Sequence, residues 1–445
     1  MSTPAIPFGR ALQFWLKLGF ISFGGPAGQI AIMHRELVER HRWISEKRFL
    51  HALNYCMVLP GPEAQQLATY IGWLMHGTWG GIVAGALFVL PSLFILIALS
   101  WIYLSFGTVP VVAGLLAGIK PAVTAIVLFA AWRIGLRTLK SPALVVIAVA
   151  SFTAIFLARL PFPLIVAAAA LAGAAGGKWA PRQFALGGQH DLPAQDSVAL
   201  IDDHTPTPPH AVFSWRRFST YLAIGLGLWI SAMGLLLALD SKAHSLADMG
   251  WFFTKAALLT FGGAYAVLPY VYQGAVDTFQ WLTPQQMIDG LALGETTPGP
   301  LIMVVAFVGF VGGWTKAVLG PDLLFAGAVL AAAVVTFFTF LPSFLFILIG
   351  GPVVESTHGQ LKFTAPLTAI TAAVVGVIVN LGVFFAWKVW WPHASDAMPL
   401  GGGFDAFSAI LTAVAAIALM RNIAGIIPVI LACGLAGVLK ALLGL

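Results

Sequence analysis

The sequence predicts an all-α polytopic membrane protein composed of two inverted-topology repeats. Of the 445 residues, 59% are hydrophobic and 9% are charged, whereas about 25% of the residues in ordinary soluble domains are charged. Three long stretches contain no Asp, Glu, Lys or Arg: residues 64–119, 323–354 and 363–387. Because one membrane helix needs about 20 apolar residues, we expect about 10–13 membrane helices.

An internal duplication supports the prediction of two repeats. The tripeptides Phe-Gly-Gly, Pro-Gly-Pro and Leu-Pro-Ser each occur twice. The first two recur 238 residues later and the third recurs 251 residues later, so the second copy carries 13 extra residues. The copies lie at 23–25 and 261–263, at 60–62 and 298–300, and at 90–92 and 341–343. Paired, interrupted apolar segments in two halves are typical of a transporter.

The two copies are predicted to have opposite orientations in the membrane. The loop at 34–48 is rich in Lys and Arg, which marks the cytoplasmic side. Its counterpart at 273–286 contains Asp277 and no Lys or Arg. An extra span at 221–239 has no counterpart in the first copy and would produce the inversion. This arrangement places the N-terminus in the cytoplasm and the C-terminus in the periplasm.

The repeat pattern divides the chain into four parts. Residues 1–178 form the first membrane repeat, and residues 241–445 form the second. Residues 179–215 are rich in Pro, Gly and Asp, and we expect a disordered cytoplasmic linker there. Residues 216–240 form the extra connecting helix. The N-terminus lacks the features of a signal peptide, so membrane insertion is expected to depend on internal spans.

Glycine and proline are expected to break a helix at each Phe-Gly-Gly and Pro-Gly-Pro tripeptide, here called the FGG and PGP breaks. A helix that begins inside the membrane presents unpaired N–H groups and a partial positive charge, which suit an oxyanion. The alternative is that the glycines only allow close helix packing. The candidate substrate-binding residues at the breaks are Ser22, Gly24, Gly25, Gly61, Gln65, Thr260, Gly262, Gly263, Thr296, Thr297 and Gly299.

Two lysines at equivalent positions, Lys17 and Lys255, are the only charged residues within their predicted helices. A cation in a membrane segment is a functional-site hypothesis by default, and Lys binds oxyanions as a point charge. The alternative is that both ammonium groups snorkel to the interface, since Lys17 is close to Arg10 in sequence. Both interpretations stay open.

Two carboxylates lie at the PGP breaks. Glu63 follows the first break and Glu295 precedes the second. A carboxyl group removed from water can hold and release a proton, so both are candidates for proton coupling. Glu63 could instead complement the helix dipole as a first-turn acid. Glu295 has no such alternative, and its counterpart is Met57.

Three further polar residues, Asn54, Lys120 and Asn380, lie in apolar surroundings and are candidates to line the pore or its gate. The counterpart of Lys120 is Thr371, which predicts a chemically asymmetric gate. The cysteines and histidines form no metal-binding spacing, and we expect neither a metal nor a cofactor. The net charge of +6 is concentrated in short loops, so nucleic acid is not expected as a partner.

The motifs together resemble the chromate ion transporter family in its long, two-domain form. They are FISFGGPAGQI at 20–30, LPGPEAQQLATYIGW at 59–73, TFGGAYAVLP at 260–269 and ETTPGPL at 295–301. The resemblance covers almost the whole chain except the linker. It implies a multi-pass protein of the inner membrane that exports chromate and confers chromate resistance, with sulfate as a look-alike anion.

Export of an oxyanion is the preferred function. Expelling a dianion from a negative interior releases about 4.6 kcal/mol per 100 mV, so the membrane potential or the proton motive force would suffice. The alternatives are sulfate uptake by the same fold and a passive anion channel. A membrane-embedded phosphatase would need clustered acids with Arg and Ser at the breaks, so we do not expect an enzyme. The expected partners are chromate and the lipid bilayer, and a homodimer stays open.

Overall fold

A computed structural model describes residues 6–23, 25–184, 199–202, 205, 208–239, 245–357, 364–394, 398 and 400–443. Within these residues the chain forms helices and one isolated β-bridge. Seven of the described helices are long and apolar enough to cross a membrane, and three shorter apolar helices accompany them. The predicted all-α polytopic membrane fold is confirmed.

Seventeen α-helices are described. The first nine are α1 Phe8–Ile21, α2 Gly25–His34, α3 Glu46–Val58, α4 Glu63–Phe106, α5 Pro110–Thr138, α6 Pro142–Phe156, α7 Phe162–Trp179, α8 Pro181–Phe184 and α9 Trp215–Leu239. The others are α10 Ser245–Leu258, α11 Ala264–Tyr272, α12 Pro284–Thr296, α13 Val304–Thr315, α14 Leu324–Thr357, α15 Thr364–Trp390, α16 Ala406–Met420 and α17 Ile426–Leu443. Two π-helical segments, Arg35–Arg40 and Gln273–Thr278, follow α2 and α11.

Equivalent sequences adopt the same local structure in both halves. Helices α3 and α12 begin and end 238 residues apart, as do the two π-helical segments. Ser45 and Thr283 cap the two helices with their hydroxyl groups, which satisfies one N–H group at each N-terminus. Arg42 and Gln280, in the loops before these caps, share a left-handed backbone with φ of 50° and 52°. The duplicated sequence therefore folds the same way twice.

The breaks in the first half join helices that fold back on themselves. The ring of Phe14 on α1 lies 5.1 Å from that of Trp43, which follows α2. After the PGP break, α4 bends sharply at His76 and Gly77, where Gly77 has a φ of 65°. The ring of His76 donates a hydrogen bond to the carbonyl of Ile6 at 2.8 Å. Both hairpins therefore return to the side on which α1 begins.

Aromatic contacts hold the first hairpin of the second half in the same way. The ring of Phe252 on α10 lies 5.7 Å from the rings of both Phe279 and Trp281. Phe279 and Trp281 are stacked with their centroids 4.5 Å apart. Each such pair adds about 0.5–1.5 kcal/mol beyond the burial of its area. The cluster therefore fixes the loop after α11 against α10.

Small residues bring the helix after each PGP break close to the helix that follows it. In α4, a methyl group on Gly72 would lie 2.5 Å from the carbonyl oxygen of Gly80, across the bend. In the second half, a methyl group on Gly309 of α13 would lie 2.8 Å from the carbonyl oxygen of Ala331 on α14. Larger side chains at these glycines would separate the helices.

Part of the predicted linker is ordered. Ile201 forms a parallel β-bridge with Ile44 in the basic loop. The ring of His210 donates a hydrogen bond to the carbonyl of Trp73 at 2.8 Å. The prediction of disorder is wrong for these residues because each gains a partner on the first-half hairpins. Most other linker residues lie outside the described part of the chain.

We predict that the two hairpin loops face opposite sides of the membrane. His41→Cys and Asp277→Cys place single thiols in equivalent loops, and an impermeant maleimide reports their side in intact cells and in inverted vesicles. The native cysteines, Cys56 and Cys433, are buried, so background labelling is expected to be low. Labelling of both new thiols from one side would contradict the inverted topology.

Candidate functional site

The four helix breaks form two pairs, each joining one half of the chain to the other. The N–H group of Gly61 donates a hydrogen bond to the carbonyl of Thr260 at 2.7 Å, and the N–H group of Gly299 donates one to the carbonyl of Ser22 at 2.8 Å. Each PGP break is therefore bonded to the residue that precedes the FGG break of the other half. The two bonds occupy equivalent positions, so they relate the halves by an approximate two-fold symmetry.

The PGP breaks require glycine for two reasons. Gly61 and Gly299 have φ values of 129° and 99°, which favour glycine because it has no Cβ. A methyl group on Gly61 would also lie 2.5 Å from Ser343 Oγ, and one on Gly299 would lie 2.8 Å from Ser92 Cβ. The long helices α4 and α14 thus place one serine each against the break of the opposite half.

Buried polar atoms without a partner surround these glycines. Within the described residues, seven buried side-chain oxygens have no hydrogen-bond partner, and six of them belong to residues that are at most 1% exposed. These six residues are Ser22, Gln29, Gln65, Gln66, Ser92 and Ser343. An unpaired buried polar group costs about 1–3 kcal/mol. A concentration of them at one place indicates a site built for a polar occupant.

Five of these six atoms fall into two subsites, and that of Gln65 belongs to neither. The Gly299 subsite consists of Gly299, Ser22, Gln29 and Ser92. Gln29 Nε2 donates to the carbonyl of Gly299 at 2.5 Å, which leaves Gln29 Oε1 as the unpaired atom. The Gly61 subsite consists of Gly61, Gln66 and Ser343, and Gln66 Nε2 donates to the carbonyl of Pro60 at 2.8 Å.

The remaining predicted residues of the breaks belong to neither subsite. The hydroxyl groups of Thr260, Thr296 and Thr297 donate to carbonyl groups three or four residues earlier. Gly25, Gly262 and Gly263 have positive φ values. Gln65 Nε2 donates to Thr69 Oγ1. Gly24 lies outside the described residues. The assignment of these residues to substrate binding stays a prediction.

A carboxyl–phenol pair lies at the second PGP break. Glu295 is buried, and the hydroxyl of Tyr265 donates to its Oε1 at 2.5 Å. Sequence reasoning missed Tyr265, because its counterpart is Ala27 and no repeated motif marks it. Glu63, at the start of α4, is partly buried and lies within electrostatic range of Arg137. The two carboxylates therefore have different partners.

The two predicted lysines lie on exposed faces. Lys17 of α1 and Lys255 of α10 are both exposed, and the ammonium group of Lys255 lies 5.7 Å from the centre of the Trp251 ring. Their neighbours Leu18 and Ala256 are buried instead. This placement favours the snorkelling alternative, and a role in anion binding stays a prediction.

Lys120 lines a cavity of about 350 Å³. Its ammonium group lies 3.4 Å from Asp289 Oδ1, and the hydroxyl of Tyr103 donates to Asp289 Oδ2 at 3.0 Å. Asp289 was not identified from the sequence. The other two predicted gate residues are not part of this cavity: Asn54 is exposed on α3, and Asn380 is half-buried on α15.

A second ion pair joins α3, the helix after the basic loop, to α14 of the other half. Arg48, in the first turn of α3, donates to Glu355 Oε2 of α14 at 2.7 Å. The hydroxyl of Tyr70 donates to the other oxygen of Glu355. The Glu355 side chain is 2% exposed and that of Arg48 is 13% exposed. This network connects the two halves.

Both halves of the chain match the model of one known family. The family model described as "chromate transporter" matches residues 10–174 and 247–438, which covers both halves and omits the linker. The chain belongs to the chromate transporter family. The predicted resemblance to this family of transporters is confirmed.

Similar proteins of known name extend over most of the chain. The chromate transport protein of Pseudomonas aeruginosa is 32% identical over 98% of this chain and 92% of its own length. A probable chromate transport protein of Synechococcus elongatus is 29% identical over 85% of this chain and 84% of its own length. The chromate transport protein of Cupriavidus metallidurans is 28% identical over 86% and 84%. No solved structure matches the chain.

We predict that the buried ion pair of Arg48 and Glu355 is important for stability. Glu355→Gln leaves the Arg48 charge buried without its carboxylate, which is expected to lower the free energy of unfolding by about 3–5 kcal/mol. Lys440→Gln is the matched control, because it removes a partly exposed pair with Asp405 at 3.6 Å and should cost about 1 kcal/mol or less. Thermal unfolding in detergent measures both, and equal shifts in Tm would contradict the prediction.

Proposed function

We propose that the protein exports chromate from the cytoplasm and binds it where the four helix breaks meet. The observation that carries this proposal is the cluster of buried, unpartnered hydroxyl and amide groups beside Gly61 and Gly299. Membership of the chromate transporter family identifies the anion, and the duplicated breaks supply the helix N-termini that suit it.

The direction follows from charge. Chromate is a dianion, and the negative interior of a cell expels it with about 4.6 kcal/mol per 100 mV. Uptake of sulfate, the main alternative, would work against the same potential and would need co-transported cations. A passive channel is a weaker alternative, because the Arg48–Glu355 pair bridges the halves on the side of the basic loop. Export from the cytoplasm would confer resistance to chromate.

The proposed export also implies a membrane and an orientation for the protein. We infer an inner-membrane protein with the basic loop and the N-terminus in the cytoplasm and the C-terminus in the periplasm. Residues 1–178 and 241–445 act as the two membrane repeats, residues 179–215 as the linker between them, and residues 216–240 as the connecting helix. The cavity beside Lys120 then opens toward the periplasm.

Glu295 is the proposed coupling group. A fixed negative charge beside an anion site would repel chromate, whereas a protonated carboxyl group would not. Proton and anion binding would then be linked, and the linkage is reciprocal. Tyr265 supports this role because its hydroxyl group orients the carboxyl of Glu295. Glu63 is the second candidate.

Transport itself is tested in inverted vesicles, whose exterior corresponds to the cytoplasm. Vesicles that contain the protein are expected to accumulate labelled chromate when a membrane potential is imposed, and unlabelled sulfate is expected to compete. Vesicles without the protein provide the control. Accumulation in right-side-out vesicles alone would reverse the proposed direction, and potential-independent equilibration would indicate a channel.

Glu295→Gln is predicted to bind chromate and to lose the dependence of transport on the pH gradient. The amide cannot exchange a proton, but it preserves a donor at the break. Chromate uptake into inverted vesicles is measured at several imposed pH gradients, with Glu63→Gln as the comparison. If Glu295→Gln keeps the pH dependence of the wild type, Glu63 or the membrane potential alone becomes the better account.

A further inference from the structure

Two serines differ from the other buried hydroxyl residues of the membrane helices. Several buried Ser and Thr residues of the helices donate to the carbonyl four residues earlier; examples are Thr69, Ser100, Thr336, Thr339 and Thr412. Ser92 and Ser343 have no hydrogen-bond partner among the described residues. Both directly follow a proline within a long helix. Their hydroxyl groups are therefore free for another partner.

Ser92 faces the break of the other half. A methyl group on Gly299 would lie 3.3 Å from Ser92 Oγ and 3.4 Å from the carbonyl oxygen of Phe88. Phe88 is the residue to which Ser92 would ordinarily donate, but the hydroxyl makes no such bond. The side chain is completely buried. Its position is therefore set by the close approach of Gly299 to α4.

The two subsites differ in their hydrogen-bond donors. In the Gly299 subsite, Ser22 and Ser92 both have a free hydroxyl group. In the Gly61 subsite only Ser343 does, because Thr260, the counterpart of Ser22, donates to the carbonyl of Ala256 at 2.7 Å. A hydroxyl group can donate to an anion, whereas an amide oxygen only accepts. Each subsite contains one unpaired amide oxygen, that of Gln29 or of Gln66, so the subsites differ in having two free hydroxyl donors or one. The Gly299 subsite is therefore the better anion site.

We propose that a tetrahedral oxyanion binds at the Gly299 subsite, with the hydroxyl groups of Ser22 and Ser92 as donors. The inference rests on the proposed function and adds to it a specific location and a ligand residue, Ser92, from outside the FGG and PGP motifs. Helix α2 contributes the positive end of its dipole, because it begins three residues after Ser22. Ser343, the single free hydroxyl donor of the Gly61 subsite, is not an anion ligand.

The test compares four variants of three serines on α4 and α14. Ser92→Ala is expected to raise the KM for chromate about tenfold or more, because a hydrogen bond to a charged group is lost. Ser343→Ala is expected to raise it roughly threefold at most. Ser100→Ala removes a buried hydroxyl group of α4 that is already bonded within its helix, and it serves as the matched control. Ser92→Thr retains a hydroxyl group and is expected to recover most of the affinity.

Binding by purified protein separates this inference from the proposed function. Isothermal titration of the full chain in detergent uses chromate and sulfate as the probes, and Ser92→Ala is expected to weaken both. If Ser92→Ala binds the anions more weakly than Ser343→Ala, the Gly299 subsite is supported whether or not vesicles show export. Absence of export from vesicles would contradict the proposed function and not the subsite.

Two results would overturn the assignment. If Ser92→Ala and Ser100→Ala bind chromate with the same affinity, Ser92 is not part of the site. If Ser92→Ala and Ser343→Ala lose equal affinity for chromate, the anion binds at a symmetric pair of subsites rather than at one. Monodispersity on size exclusion checks each variant. If Ser92→Ala fails to fold, Ser92→Cys and Ser92→Thr are titrated instead. The cysteine variant lacks the hydroxyl group, so an unchanged affinity for chromate in Ser92→Cys would contradict the proposal.

Discussion

The reciprocal backbone hydrogen bonds from Gly61 to Thr260 and from Gly299 to Ser22 are the constraint on which the structure depends. A helix that ends inside a membrane leaves backbone groups that lipid cannot satisfy, so such breaks occur only where protein or a cavity provides partners. Here each half provides the partner for the other. The breaks are therefore stable only in the assembled pair, and the two halves must meet in this register.

The duplication preserved the backbone and let the side chains diverge. The π-helical segments, the capped helices and the left-handed glycines are equivalent in the two halves. The chemistry is not equivalent, because Gln29 is replaced by Val267 and Glu295 by Met57 across the repeat. A symmetric scaffold can thus carry an anion subsite and a carboxyl group at one PGP break without repeating either at the other. This asymmetry is what the proposed coupling of proton and anion needs.

The repeat offset predicted the position of every break, because glycine and proline act on the backbone locally. It could not predict pairs such as Arg48 with Glu355 or Lys120 with Asp289, whose partners are far apart in sequence and come together only by packing. Ser92 was visible as part of a repeated tripeptide, but only its contact with Gly299 indicates a role. The helical periodicity of α1 could have indicated that Lys17 is exposed. Phe14 and Leu18 form a buried face of α1, and Lys17 lies on the exposed face.

The charges near the breaks suggest why a transporter would bind its anion with neutral groups. Arg48 is held by Glu355 and Lys120 lies beside Asp289, so neither cation is available as a fixed, unpaired charge. A dianion bound to such a charge in a low-dielectric site would be released slowly, whereas transport requires binding that is strong enough for entry and weak enough for exit. Hydroxyl groups and helix N-termini supply donors without a full charge. The membrane potential can then provide the energy for release.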